Sequence, residues 1–121
     1  MLNQVVLVGR LTDDPKVTTT ENGKKVTSIV VAVQRTFKSS TGLYESDFVR
    51  CTLWNNMASN ISEYCKKGDV VGLKGRIETG EYIDKDENKK YYTEVIAEKV
   101  TYISNNKTKE PKVTKKAKDK E

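Results

Sequence analysis

Histidine is absent from the 121 residues. Its absence removes Ser-His-Asp hydrolysis, His-activated cysteine chemistry and imidazole-bound metals together. The two cysteines, Cys51 and Cys65, are too few for a disulfide scaffold or a four-thiolate zinc site, and fit a reducing compartment. No run approaches the ~18 apolar residues of a membrane helix. The apolar stretch near the start, Val5 to Val8, is too short for a signal-peptide core and follows no basic residue. A soluble protein of the cytoplasm is expected, with no membrane partner. At ~100 to 200 residues per domain, the length leaves room for one, and no internal repeat is present.

The formal charge of +5 is unevenly spread. Residues 104–121 hold seven Lys against three acids, with Val113 and Ala117 as their only apolar side chains. Such a tail buries too little to offset its ordering entropy, so disorder is expected over 104–121. Residues 1–103 are nearly neutral and apolar enough for one small core. They form the expected folded domain.

Period-2 patterns rich in Val and Ile dominate that domain and indicate strands. Asn3 to Leu11 reads as the first, with Gly9 as a bulge or bend. Asp13-Asp14-Pro15 interrupts the chain, and a short extended run from Lys16 to Thr20 leads into Asn22-Gly23, a hairpin signal. Val26 to Arg35 is the second main strand, apolar on both faces between Ile29 and Val33. Tyr44 to Trp54 is the third. A helix follows over Met57 to Lys67, with Asn55 or Asn56 to cap it, Lys66-Lys67 at its negative end and Gly68 to stop it. Val70 to Tyr82 and Tyr91 to Ile103 complete the set. Five strands with one helix between the third and fourth is the order of the all-β OB-fold barrel.

Alternation along the third strand puts Phe48, Arg50, Thr52 and Trp54 on one face and Val49, Cys51 and Leu53 on the other. The second set is core. On the fourth strand the same reasoning gives Lys74, Arg76, Glu78 and Tyr82 outward, with Val71, Leu73 and Ile77 inward. Arg35 and Phe37 share a parity at the end of the second strand. Flat rings interleaved with cations suit unpaired bases: each base stacks on a ring, and Arg or Lys neutralises the phosphates. Tyr64 and Tyr102 read as packing residues. Tyr91 and Tyr92 have opposite parity, which leaves one of them for binding. Asp84, Asp86 and Asn88 lack the glycine and closing glutamate of a calcium loop, so neither metal nor cofactor is expected.

These residues stand in stretches that resemble the bacterial single-stranded DNA-binding protein family: LNQVVLVGRLTDDP at 2–15, VAVQRTFK at 31–38, DFVRCTLW at 47–54, EYCKKG at 63–68, GRIETGEY at 75–82 and YYTEV at 91–95. The resemblance covers nearly all of 1–103. It implies a homotetramer of OB folds that wraps single-stranded DNA in replication, recombination, repair or DNA uptake, associated with the nucleoid. It places the stacking rings at Phe37, Phe48, Trp54 and Tyr82. The cations expected to meet phosphate are Arg10, Arg35, Lys38, Arg50, Lys74 and Arg76, and Val5, Val6, Leu7 and Val8 are the expected subunit interface.

Longer members of the family end in an acidic, Phe-terminated tip that recruits repair and replication enzymes, whereas this chain ends Lys118-Asp119-Lys120-Glu121. In this it resembles the family's short forms; recruitment through such a tip is therefore expected to be lost or altered, with the lysine-rich tail instead adding weak phosphate contacts. Two rivals remain at this stage. One is an OB-fold accessory subunit of a replication-restart complex acting through protein contacts. The other is a small nuclease holding a metal on Asp13, Asp14 or Glu45.

Overall fold

The computed structural model describes residues 1–104, apart from the side chains of Phe37, Lys38 and Ser104. The expected tail lies outside these residues except for Ser104, which ends the last strand. The elements run β1 (Val5–Leu11), β2 (Thr18–Thr19), β3 (Lys25–Lys38), β4 (Tyr44–Trp54), α1 (Asn56–Tyr64), β5 (Val70–Ile83) and β6 (Lys89–Ser104). They form one sheet in the order β1-β5-β6-β4-β3-β2, which a further β1–β3 pairing closes into a barrel. Its seams are short: Arg10 and Leu11 against Ala32 and Val31, and the parallel contact of Cys51 and Thr52 with Val95 and Ile96. β2 is the expected short run, joined to β3 through the Asn22-Gly23 turn, where Gly23 takes a φ of 84°.

Apolar alternation fills the barrel. Leu11, Ile29, Val31, Cys51, Leu53, Val71, Leu73, Val95 and Ala97 point inward and are buried, and α1 adds Ala58 and Ile61. The outward residues of the apolar β3 run, Val30 and Ala32, are half-buried. Burial pushes the thiols of Cys51 and Cys65 up to about 11, with Asp69 a second cause at Cys65, so neither is a thiolate near neutrality.

The helix is shorter than its periodicity suggests, for a tertiary reason. Cys65 is already extended, at φ −125°. Beyond it the backbone finds partners elsewhere: Lys66 N–H donates to Asp69 Oδ2, Lys67 N–H to Asp14 Oδ1, and Gly68 N–H to the Leu11 carbonyl. Those bonds tie the turn to the end of β1, so Lys66 and Lys67 lie past the helix, and Gly68 (φ 93°) serves the turn. Asn55 stands at the N-cap position with φ 58° and makes no side-chain cap bond.

Two further expectations are corrected. Gly9 is not a bulge, because the β1–β5 register passes through it unbroken. It sits where β1 crosses β3, and a Cβ there would lie 2.4 Å from the Ala32 carbonyl oxygen. Ile77 has the parity of Val71 and Leu73 but is 45% exposed. β1 accompanies β5 only as far as Gly75; Asn3 then extends the ladder by one residue, its side chain both accepting from Ile77 N–H and donating to the Ile77 carbonyl. From there β5 and β6 continue as a two-stranded arm to Ile83 and Lys89. Parity sets a face, but only the barrel covers it. Ile83 and Tyr91 are exposed for the same reason.

Replacing Gly9 by Ala should destabilise the fold by at least ~1–3 kcal/mol, since backbone rather than a flexible side chain must give way. A urea midpoint equal to that of the unaltered protein would contradict this view of the crossing.

Candidate nucleic-acid interface

The strand registers decide which residues share the outer surface. Across β3 and β4, Ala32 faces Phe48, Val30 faces Arg50 and Val26 faces Trp54. Across β5 and β6, Arg76 faces Ile96, Glu78 faces Glu94, Gly80 faces Tyr92 and Tyr82 faces Lys90. Because Thr52 is level with Ile96, these rows lie on the same exterior side. Phe48 is 68% exposed and Tyr82 54%, while Trp54 is half-buried at the foot of β4. Phe48 and Trp54 are six positions apart, roughly 20 Å along an extended strand. Phe37 and Lys38 occupy the last two positions of β3.

Between β4 and the β5–β6 arm lies a groove of about 610 Å³ lined by Arg50, Tyr82, Tyr92, Thr93 and Glu94. Tyr82 and Tyr92 lean together with ring centroids 6.4 Å apart and planes inclined by 37°, within the spacing of interacting aromatic pairs. Gly80 makes that arrangement possible. Opposite Tyr92 in the ladder, it leaves its face bare for the ring, and a Cβ there would meet Tyr92 Oη at 2.3 Å. Alternation alone left Tyr91 and Tyr92 undecided. The signal that separates them is Gly80, since a ring lying across a cross-strand glycine is a recurrent sheet device.

The expected cations divide into groups. Arg50 lines the groove, and among the described residues it makes no ion pair. Arg76 shares the exterior side but is held by Glu78 at 2.8 Å and lies 3.8 Å from Glu98. Arg10, level with Ala32 and so in the row of Phe48, donates to the Gly68 carbonyl at 2.9 Å. Beside it a groove of about 250 Å³ is lined by Val8, Ala32, Gln34 and Ser46. Lys74 is elsewhere, opposite Val6 on one side and Lys99 on the other.

Arg35 departs most from expectation. Val33 pairs with Asp47 and Gln34 with Ser46, which puts Arg35 on the opposite side of the β3–β4 hairpin from Phe48 and Arg50. There it forks onto Asp47 at 2.8 Å and reaches Glu45 at 3.1 Å. The hydrogen bond from Arg35 holds Asp47 below its ordinary value, and Asp47 in turn raises Arg35. Thr52, expected on the open surface, is buried, and its hydroxyl donates to Glu94.

The first strand splits by face. Val5 and Leu7 pack against the core, whereas Val6 is 69% exposed and Val8 53%. With Ile103 and Leu73 they line an apolar groove of about 350 Å³, flanked by Lys74 and Lys99. Tyr64 and Tyr102 meet edge-on at 5.8 Å and keep to themselves.

The carboxylates that a nuclease would need are scattered and occupied. Asp13 caps the turn after β1 by accepting from Asp14 N–H, Asp14 accepts from Lys67 N–H, and Glu45 belongs to Arg35. Asp84, in the polar loop, accepts from Asp86 N–H and Asn88 N–H, so that acidic stretch is a side-chain-capped turn. No helix among the described residues is long and apolar enough to cross a membrane.

A closed five-stranded barrel with a helix between β4 and β5, carrying rings and an unpaired guanidinium on one outer face, defines an OB-fold binding module. The description "Single-strand binding protein family" matches residues 2–103, and the chain belongs to that family. It is 44% identical over 119 residues to single-stranded DNA-binding protein B of Bacillus subtilis (strain 168), covering 98% of this chain and 100% of that protein. Against the single-stranded DNA-binding protein of Bacillus cereus it is 43% identical over 103 residues, 85% of this chain but only 61% of the relative. Single-stranded DNA-binding protein 1 of Lactococcus lactis subsp. lactis is 42% identical over 108 residues, with shares of 89% and 72%.

Proposed function

We propose that this protein binds single-stranded DNA without catalysing a reaction on it, and with little dependence on base sequence. The observation that carries the reading is the shared exterior of β4, β5 and β6, which bears Phe48, Trp54, Tyr82 and Tyr92 together with an Arg50 that has no carboxylate partner among the described residues. Exposed rings supply stacking surfaces for any base, and a guanidinium among them meets the phosphates between bases. A duplex, with its bases already stacked, has nothing to offer such rings. Binding of this kind protects single strands during replication, recombination, repair or DNA uptake. The names of the relatives point the same way.

The same proposal covers assembly. Val6, Val8 and Ile103 form an exposed apolar patch, and such patches mark protein contacts. A homotetramer joined through β1 is the assembly the resemblance implies, and Val6 and Val8 are the residues available to it, with Val5 and Leu7 supporting them from the core.

Trp54→Ala should weaken binding to oligo-dT by ~1–3 kcal/mol in a fluorescence-anisotropy titration; unchanged affinity would make that ring structural. Arg50→Ala should lower the slope of log K against log salt by about 0.7, the share of one phosphate contact on a single strand. Arg35→Ala should leave that slope unaltered, because its charge is already matched. Equal losses from both substitutions would contradict the division of the cations. Val6→Asp should reduce the mass measured by light scattering below that of the unaltered protein, and an undiminished mass would remove β1 from the interface.

A further inference from the structure

The groove beside Arg50 contains an unexpected negative charge. Glu94 lines it together with Tyr82, Tyr92 and Thr93, where a polyanion is the proposed ligand. Its position is unfavourable twice over. In the β5–β6 ladder it stands directly opposite Glu78, and like charges in that relation destabilise a sheet. Arg76 pairs with Glu78 and lies near Glu98, which eases that repulsion but forms no salt bridge with Glu94. Among the described residues Glu94 forms no ion pair. Its hydrogen-bond partner among the described residues is the hydroxyl of buried Thr52, which donates to Oε1 and holds the carboxylate in place.

A fixed, unneutralised carboxylate beside two rings cannot be a phosphate contact. It is an acceptor for N–H groups, and the part of a single strand that supplies them is the base edge. We propose that Glu94 is a base-reading residue that favours guanine in this groove, superimposed on otherwise sequence-tolerant binding. The inference rests on the single-strand reading above. Guanine presents two adjacent donors, N1–H and the N2 amino group, which match the two oxygens of a carboxylate. Cytosine and adenine present one amino group each, next to an acceptor. Thymine is the poorest match, since its single N3–H lies between two carbonyls that repel the carboxylate. Tyr82 and Tyr92 would stack the base, Glu94 would read its edge, and Arg50 would take the phosphate. The volume of the groove, about 610 Å³, lies in the ~300–1,000 Å³ range of sites that enclose a small ligand.

Inosine separates this contact from stacking, because it keeps the purine ring and N1–H but lacks the N2 amino group. Oligo-dT strands of one length, carrying isolated dG or isolated dI at the same positions, would compete with labelled oligo-dT for the full-length protein. The expected result is a roughly three- to tenfold advantage for the dG strand, as one net hydrogen bond supplies. In Glu94→Gln that advantage should fall to about one. The substitution keeps the shape and an acceptor for Thr52, and the unaltered protein's dG-to-dI ratio is a test that needs no variant. Equal affinity for dG and dI strands, or an advantage that survives Glu94→Gln, would overturn the inference alone. Failure of every strand to bind would overturn the single-strand reading, and this inference with it.

Discussion

The site depends on a mismatch of lengths. The barrel is closed by two short seams, Arg10 and Leu11 against β3 and Cys51 and Thr52 against β6, while β3, β4, β5 and β6 run on well past both. What lies between the seams is a packed core. What lies beyond is a pair of two-stranded arms with neither face covered. A ring on an arm has no interior to enter, so Tyr82 and Tyr92 stand exposed, while Phe48, level with the β1–β3 seam, is exposed because alternation turns it to the outer face of the barrel. The outer face of β4 on the barrel and the β5–β6 arm together line the groove.

Charge is distributed by the same geometry. On the far side of the β3–β4 arm, Arg35 is matched by Asp47 and Glu45, and on the β5–β6 arm Arg76 is matched by Glu78 and Glu98. Exposed pairs of this kind add little stability. Among the described residues, their effect is to leave Arg50 and Glu94 in the groove without a salt bridge. A ligand with phosphates and hydrogen-bonding base edges would answer both at once, as the proposed function requires.

Much of this was legible in the sequence. β4 spans Tyr44–Trp54 as alternation predicts, its inward residues are Val49, Cys51 and Leu53, and the strand count with one helix identifies the barrel. The errors share a cause. Ile77 and Thr52 were assigned by parity, yet one is exposed because its neighbour strand ends and the other is buried where β4 pairs with β6 and Glu94 accepts from its hydroxyl. Arg35 was grouped with the rings through its parity with Phe37, although the register turns it to the opposite side from Phe48 and Arg50. Helix α1 stops early because Asp14, Leu11 and Asp69 claim the backbone that would continue it. Each depends on a residue distant in the chain, which periodicity does not report. Tyr92 is different: Gly80 was visible, but its importance appears only when the two are known to be opposite.

The most direct test of the binding face is a chemical-shift map of the labelled protein titrated with short oligo-dT. The account predicts the largest amide shifts at Phe48, Arg50, Trp54, Tyr82 and Tyr92, with Tyr64 and Tyr102, which pack on each other at the end of α1, almost unmoved. Shifts concentrated on Tyr64, Tyr102 and α1, with β4 and the β5–β6 arm silent, would contradict it.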